Sequence, residues 1–375
     1  MKIGIVCYPT FGGSGVVATE LGMALADKGH QVHFITYNQP VRLDFISHHL
    51  HFHEVVLEEY PLFQYQPYEL ALSSKMVEIV KRYQLEVLHV HYAIPHAYAA
   101  YMAKKMLAEK GINIKVVTTL HGTDITLVGS HPTYKTAVEF SINQSDVVTA
   151  VSKNLREDTL RLFNIEKDIQ VVYNFIDAEK YDQGHIEDCQ RSALAAPEER
   201  ILTHVSNFRP VKRTEDVIKI FYKVQQEIPS KLLMVGDGPE RKKVERLAKE
   251  LGIKDKVLFL GNSNEVAKIL CYTDVFLLPS ETESFGLAAL EAMAASTAVI
   301  STNTGGLPEV NIHGETGFLS NLGDVDDMAK NAIYLLKDDA VLNTFKQNAK
   351  KRTQVFSLKN ILPEYEKLYK SCYVK

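Results

Sequence analysis

Two glutamates, Glu283 and Glu291, stand eight positions apart in the segment ETESFGLAALEAM. The preceding DVFLLPS predicts a strand and LAALEAMA predicts a helix, so the amides of Ser284, Phe285 and Gly286 lie at a helix start. Such amides have no partner inside the helix and bind anions. The spacing alone is common in a chain with 46 acidic residues. Its strand, loop and helix context predicts one extended ligand, with an anionic middle on the amides and a glutamate at each side.

A second loop with charged side chains follows the predicted strand RILTHVS. The sequence HVSNFRPVKRTEDV places Arg209, Lys212 and Arg213 after that strand. Basic side chains at the carboxyl end of a strand can clamp a diphosphate, because Arg offers a planar fork and Lys a point charge. A solvated charged turn is the usual alternative, and the position after a strand argues against it.

Two loops in the first half of the chain also follow predicted strands. YPTFGGSGVVATELG brings Gly12, Gly13 and Gly15 to a helix start, which lets a ligand approach the backbone. GGSGVV is not the dinucleotide fingerprint G-x-G-x-x-G, and a structural tight turn is an equal alternative. TTLHGTDIT places His121 just after a strand. A lone histidine is more often structural, but its place at the sheet edge favours a functional role.

Hydrophobic patterning predicts two αβ domains. Val- and Ile-rich runs alternate with helical segments, which is typical of doubly wound parallel sheets. We expect Rossmann-like domains at residues 1–175 and 200–355 facing each other across a cleft, a linker at 176–199, and a final helix at 356–375. The predicted strands cover residues 2–7, 32–36, 87–91, 115–120, 146–151, 169–173, 200–206, 231–236, 256–261, 274–280 and 297–302.

Composition limits the classes of function. With 375 residues, 46% of them hydrophobic, and a net charge of −4, the chain is typical of soluble two-domain proteins and has no general affinity for nucleic acid or anionic membranes. No apolar run approaches the length of a membrane span, and the N-terminus enters a strand directly. Four dispersed cysteines favour free thiols. We expect a cytoplasmic protein without stable membrane insertion, and we leave a homodimer open.

The segment ISHHLHFHEVV carries His48, His49, His51 and His53. A strand would place three of them on one face, which fits either a metal site or a solvated sheet edge. Because no carboxylate or cysteine partner is apparent, we favour the solvated edge.

Together these loops resemble the retaining nucleotide-sugar glycosyltransferases of the GT-B type, whose fold has two Rossmann-like domains. The matching pieces span nearly the whole chain in the family's order, and the resemblance implies that the final helix packs back on the first domain. They are GGSG at 12–15, HGTD at 121–124, RPVK at 209–212, VGDGPE at 235–240, FLG at 259–261, the glutamate pair in ESFGLAALE, and TGGLPE at 304–309.

For the donor, the resemblance implies a UDP-sugar. Glu291 would hold the ribose hydroxyls, Glu283 the hydroxyls of the sugar, and His121 would face the sugar near the reacting carbon. Lys212 and a basic neighbour, Arg209, would bind the diphosphate. The other implied donor contacts are Gly13, Asn207, Gly261, Asn262, Ser284, Phe285, Gly286 and Leu287.

The resemblance also implies a mechanism without a protein nucleophile. The acceptor hydroxyl would attack from the face that UDP leaves, with catalytic roles for His121, Glu283, Lys212 and Arg209. Many relatives carry Gly-Arg where this chain has Ser206-Asn207, so Arg209 would supply that cation from a nearby position. No D-x-D motif that suggests a required divalent metal is apparent. We therefore expect no metal and no cofactor, and cations and helix amides would offset the leaving charge.

Within the family, CYPTFGGSGVVATELG and SNFRPVKR resemble the bacterial enzymes that join N-acetylglucosamine to L-malate in the first step of bacillithiol biosynthesis. The implied substrates are UDP-GlcNAc and L-malate. Malate needs cations or hydroxyls near the GGSG loop, and the candidates are Ser14, Tyr92, Thr123, Lys135 and Arg156. The alternatives are a glycosyltransferase for a lipid or glycan acceptor, a UDP-sugar epimerase, a non-catalytic nucleotide-sugar sensor, and an NAD-linked dehydrogenase, which would need the missing fingerprint.

Overall fold

The structure is a computed structural model that describes residues 1–10, 12–43, 47–58, 65–181, 191–263 and 265–373. The chain divides into two compact units. The first comprises Met1–Asn174 and Leu358–Lys375, and the second comprises Phe175–Ser357. The segment predicted as a linker belongs to the second unit, and its residues 182–190 lie outside the described part.

The first unit is built on a parallel sheet covered by helices. Its strands are Lys2–Val6 (β1), Gln31–Thr36 (β2), Leu50–Glu54 (β3), Val87–His91 (β4), Lys115–Leu120 (β5), Val147–Ala150 (β6) and Ile169–Val171 (β7). Its helices include Gly13–Asp27 (α1), Tyr68–Tyr83 (α2), Tyr98–Ala108 (α3), Pro132–Gln144 (α4) and Lys153–Leu162 (α5). The strand order is β3-β2-β1-β4-β5-β6-β7, and all neighbours run parallel. Because helices cover the sheet, the central strands β1 and β4 are buried along nearly their whole length.

The second unit repeats this design with a smaller sheet. Its strands are Arg200–Val205 (β8), Ser230–Val235 (β9), Val257–Gly261 (β10), Val275–Leu278 (β11), Ala298–Thr302 (β12) and Gly317–Ser320 (β13). Its helices are Thr214–Glu227 (α6), Arg241–Glu250 (α7), Val266–Cys271 (α8), Leu287–Ala294 (α9), Leu307–Val310 (α10), Val325–Lys337 (α11) and Asp339–Arg352 (α12). The strands are parallel in the order β10-β9-β8-β11-β12-β13.

The last helix, Leu358–Ser371 (α13), belongs to the first unit. Tyr365 and Tyr369 on this helix are fully buried, and the Tyr369 hydroxyl lies 2.8 Å from His89 Nδ1. Glu366 Oε1 lies 3.0 Å from His30 Nε2. Buried aromatic area and these polar contacts hold the helix against the first sheet.

The histidine-rich segment contains β3, which lies at the edge of the first sheet and packs its histidines on β2. His51 stacks on His33 of β2 with ring centroids 4.5 Å apart, and His53 Nε2 lies 2.9 Å from His33 Nδ1. Tyr83 packs on the same cluster, 4.5 Å from the His33 ring. The described residues contain no cluster of three or more His, Cys, Asp or Glu side chains that could hold a metal ion. The predicted edge position is therefore correct, but His51 and His53 form a half-buried aromatic stack instead of a fully solvated face.

The cysteines follow the prediction only in part. Cys7 is a buried free thiol whose pKa burial raises to about 12, and Cys372 is also free. Cys271 is disulfide-bonded, so a free thiol was the wrong prediction there. Cys189 lies outside the described residues. Among the helices of the described chain, none has the length and apolar character that crossing a membrane requires.

Acid is expected to destabilise the first unit before the second. Burial lowers the pKa of His89 to about 3 and that of His96 to about 4, whereas an unfolded histidine titrates near about 6.5. Because the folded pKa lies below the unfolded one, this stability is present above about pH 6.5 and is lost as pH falls, by about 1.4 kcal/mol per pH unit for each such buried group.

Hydrogen exchange read by mass spectrometry at about pH 7 and about pH 5 checks this expectation. Protection in β4 and β5 should fall earlier than protection in β8 and β11, because His204 is the only buried histidine among the described residues of the second unit. Equal loss in both units would contradict it.

Candidate active site

Both sheets reverse their strand order at their first strand. β1 lies between β2 and β4, and β8 lies between β9 and β11. At such a switch point the loops leave in opposite directions and open a crevice at the carboxyl ends of the strands, where ligands of open αβ sheets bind. In each unit the predicted site residues lie mainly on the loops and helix starts that follow these strands.

The loop after β11 leads into the start of α9. Gly286 precedes the helix with a φ of 99°, which a residue without a side chain adopts at little cost. Gly286 is the residue at the N-cap position and has no side chain with which to cap the helix. Phe285 is 2% exposed and packs edge-on against Phe356 with ring centroids 5.3 Å apart. This buried contact holds the loop in place. The amides at Gly286 and Leu287 therefore have a fixed place at the positive end of the helix dipole.

Lys212 and Glu283 come together from two loops. Lys212 Nζ lies 2.5 Å from Glu283 Oε1, and the Ser280 hydroxyl donates to the same oxygen at 2.9 Å. The N–H of Glu281 donates to the carbonyl of Val211 at 2.8 Å and ties the loops together. Sequence reasoning placed both charged residues in one site, but it did not predict that they form an ion pair.

Glu291 lies on α9, and Tyr181 approaches it from a short turn at Ala178–Tyr181. The Tyr181 hydroxyl donates to Glu291 Oε1 at 2.8 Å. This contact orients a carboxylate that the sequence assigned to the ligand.

The TGG turn after β12, at residues 304–306, packs against the backbone of the loop that carries Glu283. The N–H of Gly306 donates to the carbonyl of Glu283 at 2.8 Å. A Cβ on Gly305 would lie 2.0 Å from the Glu283 carbonyl oxygen, and a Cβ on Gly306 would lie 2.5 Å from that of Ser284. Only glycines allow the two backbones to approach so closely.

Gly305→Ala is expected to destabilise the second unit by several kcal/mol, because the new methyl group meets backbone and Gly305 has a φ of 58°. Gly314→Ala is a matched control, since Gly314 also has a positive φ, 75°, but nothing lies within 4 Å of its added Cβ. That control should lose only about 1 kcal/mol. Denaturant unfolding measures both changes, and equal losses would show that close packing behind Glu283 is unimportant.

The remaining donor candidates lie around the carboxyl ends of β8, β9 and β10. Asn207 and Arg209 are exposed, and Arg209 has no ion pair among the described residues. Gly238 packs closely on the Asn207 carbonyl, which a Cβ there would approach to 2.0 Å. Gly261 ends β10 with a φ of 68°, its carbonyl accepts from the N–H of Gly236 at 2.7 Å, and Asn262 follows it.

In the first unit, two acceptor candidates touch each other. Ser14 Oγ on α1 lies 2.6 Å from the Tyr92 hydroxyl, at the start of the loop after β4. Burial raises the pKa of Tyr92, so its hydroxyl stays protonated. Gly13 is the first residue of α1. Gly15 serves the tight turn itself, because a Cβ there would lie 2.4 Å from the Thr10 carbonyl oxygen.

His121 follows β5 and is almost buried. Its Nε2 lies 2.8 Å from Nδ1 of His91, the last residue of β4. Burial lowers the pKa of His121 to about 3, so the ring is neutral at physiological pH. Its ring also packs against that of Tyr92 at 5.1 Å. The structure thus brings His121 and the Ser14 and Tyr92 hydroxyls into one neighbourhood.

The other three acceptor candidates, Thr123, Lys135 and Arg156, are exposed, and each lies on a different element. Thr123 begins the turn Thr123–Leu127 after β5, and Arg156 lies near the start of α5. Lys135 extends over the ring of Phe163, 6.0 Å from its centroid. Phe163 follows the last residue of α5, so Lys135 points toward the far end of that helix. Among the described residues, the side-chain hydrogen bond of Ser14 and Tyr92 is with each other and not with any of these three side chains.

Comparison with known proteins identifies the family. The model described as Glycosyltransferase Family 4 matches residues 11–180, and the model described as Glycosyl transferases group 1 matches residues 186–352. N-acetyl-alpha-D-glucosaminyl L-malate synthase from Bacillus anthracis is 50% identical over 370 residues, which cover 98% of this chain and 96% of that protein. This chain belongs to the glycosyltransferases.

Solved structures confirm the predicted fold class of this glycosyltransferase. HepE from Anabaena in complex with UDP and glucose has a TM-score of 0.83 at 20% identity and covers 99% of this chain and 100% of its own. Sucrose-phosphate synthase from Thermosynechococcus elongatus has a TM-score of 0.81 at 23% identity, covering 100% of this chain and 99% of its own. At such identities the likeness concerns the fold alone, which is the GT-B arrangement of two Rossmann-like domains.

Contrary to expectation, the sequence does contain one D-x-D triplet, at Asp324 to Asp326. Its side chains are used structurally. Asp324 caps α11 by accepting from the N–H of Asp327 at 3.0 Å, and Asp326 pairs with Lys223 at 2.7 Å. The triplet therefore lies at a helix start, where its side chains cap and flank α11.

Asp124 lies in the HGTD motif, and no role was predicted for it. Asp124 is 2% exposed and accepts from the N–H groups of Ala93, Gly122 and His121 at 2.8, 2.9 and 3.2 Å. It fastens the loop after β5 to the loop after β4. The signal was present in HGTD, where a short acidic side chain three positions after His121 can turn back to its own loop.

Proposed function

We propose that this glycosyltransferase transfers N-acetylglucosamine from UDP-GlcNAc to the hydroxyl of L-malate, giving GlcNAc-α-malate and UDP, the first step of bacillithiol biosynthesis. The pairing of Lys212 with Glu283 at the start of α9 is the observation that carries the donor half. The relative from Bacillus anthracis, named N-acetyl-alpha-D-glucosaminyl L-malate synthase and 50% identical along nearly the whole chain, supports the acceptor half.

The diphosphate of the donor lies on the start of α9. The amides at the helix start and the helix dipole favour an anion there, and Lys212 adds a full positive charge beside them. Glu283 holds that lysine in place and offers its other carboxylate oxygen to hydroxyls of the sugar. Further along α9, Glu291 accepts from the ribose hydroxyls while Tyr181 keeps it oriented.

Transfer proceeds with retention and without a metal ion. The malate hydroxyl oxygen forms a bond to the anomeric carbon on the face where the bond to the UDP oxygen breaks, and the hydroxyl proton passes to the departing phosphate. Negative charge grows on that phosphate, so Lys212 and the helix amides stabilise the transition state more than the ground state. Arg209, exposed and without an ion pair among the described residues, supplies a second cation.

The acceptor site rests on the first unit. Malate carries two carboxylates and one hydroxyl, and these groups need cations and hydrogen-bond donors. The paired hydroxyls of Ser14 and Tyr92 form its centre, with Thr123 and Arg156 after the neighbouring strands β5 and β6. Lys135 has the weakest support, because it extends over Phe163.

UDP release tests this function. Purified protein with UDP-GlcNAc should release UDP rapidly only when L-malate is added, and much less with D-malate, succinate, a glycan or a lipid acceptor. Equal release with and without malate would contradict the acceptor assignment, and malate-independent isomerisation of the sugar would indicate an epimerase. A homodimer and a cytoplasmic location stay predictions, which sedimentation and cell fractionation test.

A further inference from the structure

His91 is a buried histidine for which the proposed reaction has no use. It ends β4, is 0% exposed, and its Nδ1 lies 2.8 Å from Nε2 of His121. One of the two nitrogens must carry the shared proton, because both rings are neutral: burial lowers the pKa of each. Which nitrogen carries it decides what His121 presents to a ligand.

The other nitrogen of His91 indicates the direction of the hydrogen bond. His91 Nε2 is buried and has no hydrogen-bond partner among the described residues. If His91 accepted through Nδ1, its proton would sit on Nε2 as a buried donor without an acceptor. A buried orphan N–H is rarer in proteins than an under-used acceptor. His91 therefore donates from Nδ1, and His121 accepts through Nε2.

The surroundings of His91 keep its ring in this orientation. It stacks on His89 with centroids 4.5 Å apart. His89 is itself held at both nitrogens, by the Tyr369 hydroxyl at 2.8 Å and by Thr119 Oγ1 at 2.7 Å. The backbone carbonyl of His91 accepts from Nδ1 of His96 at 2.5 Å. Neither the ring nor the backbone of His91 is free to turn away from His121.

We propose that His91 is a positioning residue that holds His121 in the tautomer with its proton on Nδ1. His121 then presents a hydrogen-bond donor to a hydroxyl or carbonyl oxygen of the sugar. Its only basic lone pair, on Nε2, is engaged by the N–H of His91, so His121 has no free lone pair with which to act as a general base on the sugar or the acceptor. The part played by the sugar rests on the proposed function, whereas the tautomer does not.

The tautomer is measured directly. In full-length protein labelled with ¹⁵N-histidine, two-bond proton–nitrogen NMR correlations distinguish protonated from unprotonated ring nitrogens, and the His121→Gln variant identifies the His121 signals. At neutral pH the wild-type protein should show Nδ1 of His121 protonated and Nε2 unprotonated. A proton on Nε2 of His121 in the wild-type protein would overturn the proposal without recourse to any variant of His91.

Variants of His91 separate positioning from packing. His91→Phe fills the space but cannot donate, so His121 should lose its single tautomer and kcat/KM for UDP-GlcNAc should fall about tenfold, the scale of one hydrogen bond. His91→Asn places an amide donor near the position of Nδ1 and should recover the tautomer and most of the rate. In a His121→Leu background, His91→Phe should cause no further loss. A further tenfold loss in that background would assign His91 a purely structural role.

Failure of the two proposals is distinguishable. If the NMR signature is as expected but malate does not stimulate UDP release, the reaction is wrong and the role of His91 stands. If malate stimulates release while His121 carries its proton on Nε2, the reaction stands and the positioning proposal is wrong.

Discussion

Replacing Lys212 with alanine is expected to lower kcat about a hundredfold, the usual cost of removing one group that stabilises charge in the transition state. The lysine lies 2.5 Å from Glu283, which is in the loop before α9, so its loss would remove a cation from the place where the proposed reaction develops charge on the phosphate. It also leaves Glu283, which is 13% exposed, without its counterion. Steady-state rates of malate-dependent UDP release measure the change.

Lys223→Ala is the matched control for this variant. Lys223 also pairs with a carboxylate of the second unit, Asp326, at 2.7 Å, but it lies on α6 at the surface. Its replacement should leave kcat within about twofold, because exposed ion pairs contribute little. A Lys212→Ala enzyme as fast as this control would remove the lysine from the mechanism.

Replacing Glu291 on α9 is expected to weaken UDP binding, whereas replacing Glu283 in the loop before α9 is expected to slow the reaction. Glu291→Ala should raise the Kd of UDP by about tenfold to a hundredfold, because hydrogen bonds to a charged group contribute about 1.5 to 3 kcal/mol each. Glu283→Ala should lower kcat by about a hundredfold and leave the Kd of UDP unchanged or smaller. The reason is that Lys212, released from Glu283, meets the diphosphate without a competing carboxylate.

Calorimetric titration with UDP and steady-state kinetics on the same preparations separate these effects. Tyr181→Phe removes the hydroxyl that orients Glu291 and should weaken UDP to a smaller extent, about threefold. Glu250→Ala is the neutral control, since Glu250 forms an exposed pair with Arg246 on α7. If Glu283→Ala weakened UDP as much as Glu291→Ala does, the separate roles of the two carboxylates would have to be abandoned.

Much of the fold is readable from sequence because parallel strands buried on both faces carry continuous apolar runs. Every strand predicted from such a run is present, with ends displaced by at most two residues. Two strands escape this signal for physical reasons. β3 has the sequence LHFHE and is stabilised by stacked imidazole rings, and β13 has only the four residues GFLS.

The candidate site is readable where backbone chemistry dictates residue type. The helix start after ESFG predicted a loop–helix anion site, and close backbone contacts account for the glycines Gly305 and Gly306 of TGGLPE. Sequence patterns did not predict contacts between segments that lie far apart in the chain. No local pattern predicts that Tyr181 orients Glu291, that His91 contacts His121, or that Lys135 extends over Phe163.

The anomeric configuration of the product is the most direct test of the central claim. Proton NMR of a reaction containing UDP-GlcNAc, L-malate and enzyme should show a new anomeric signal whose small coupling constant matches the α-linkage of the donor. That signal should grow in step with UDP and be absent without malate. A β-linked product, or free N-acetylglucosamine formed at the same rate without malate, would contradict the account.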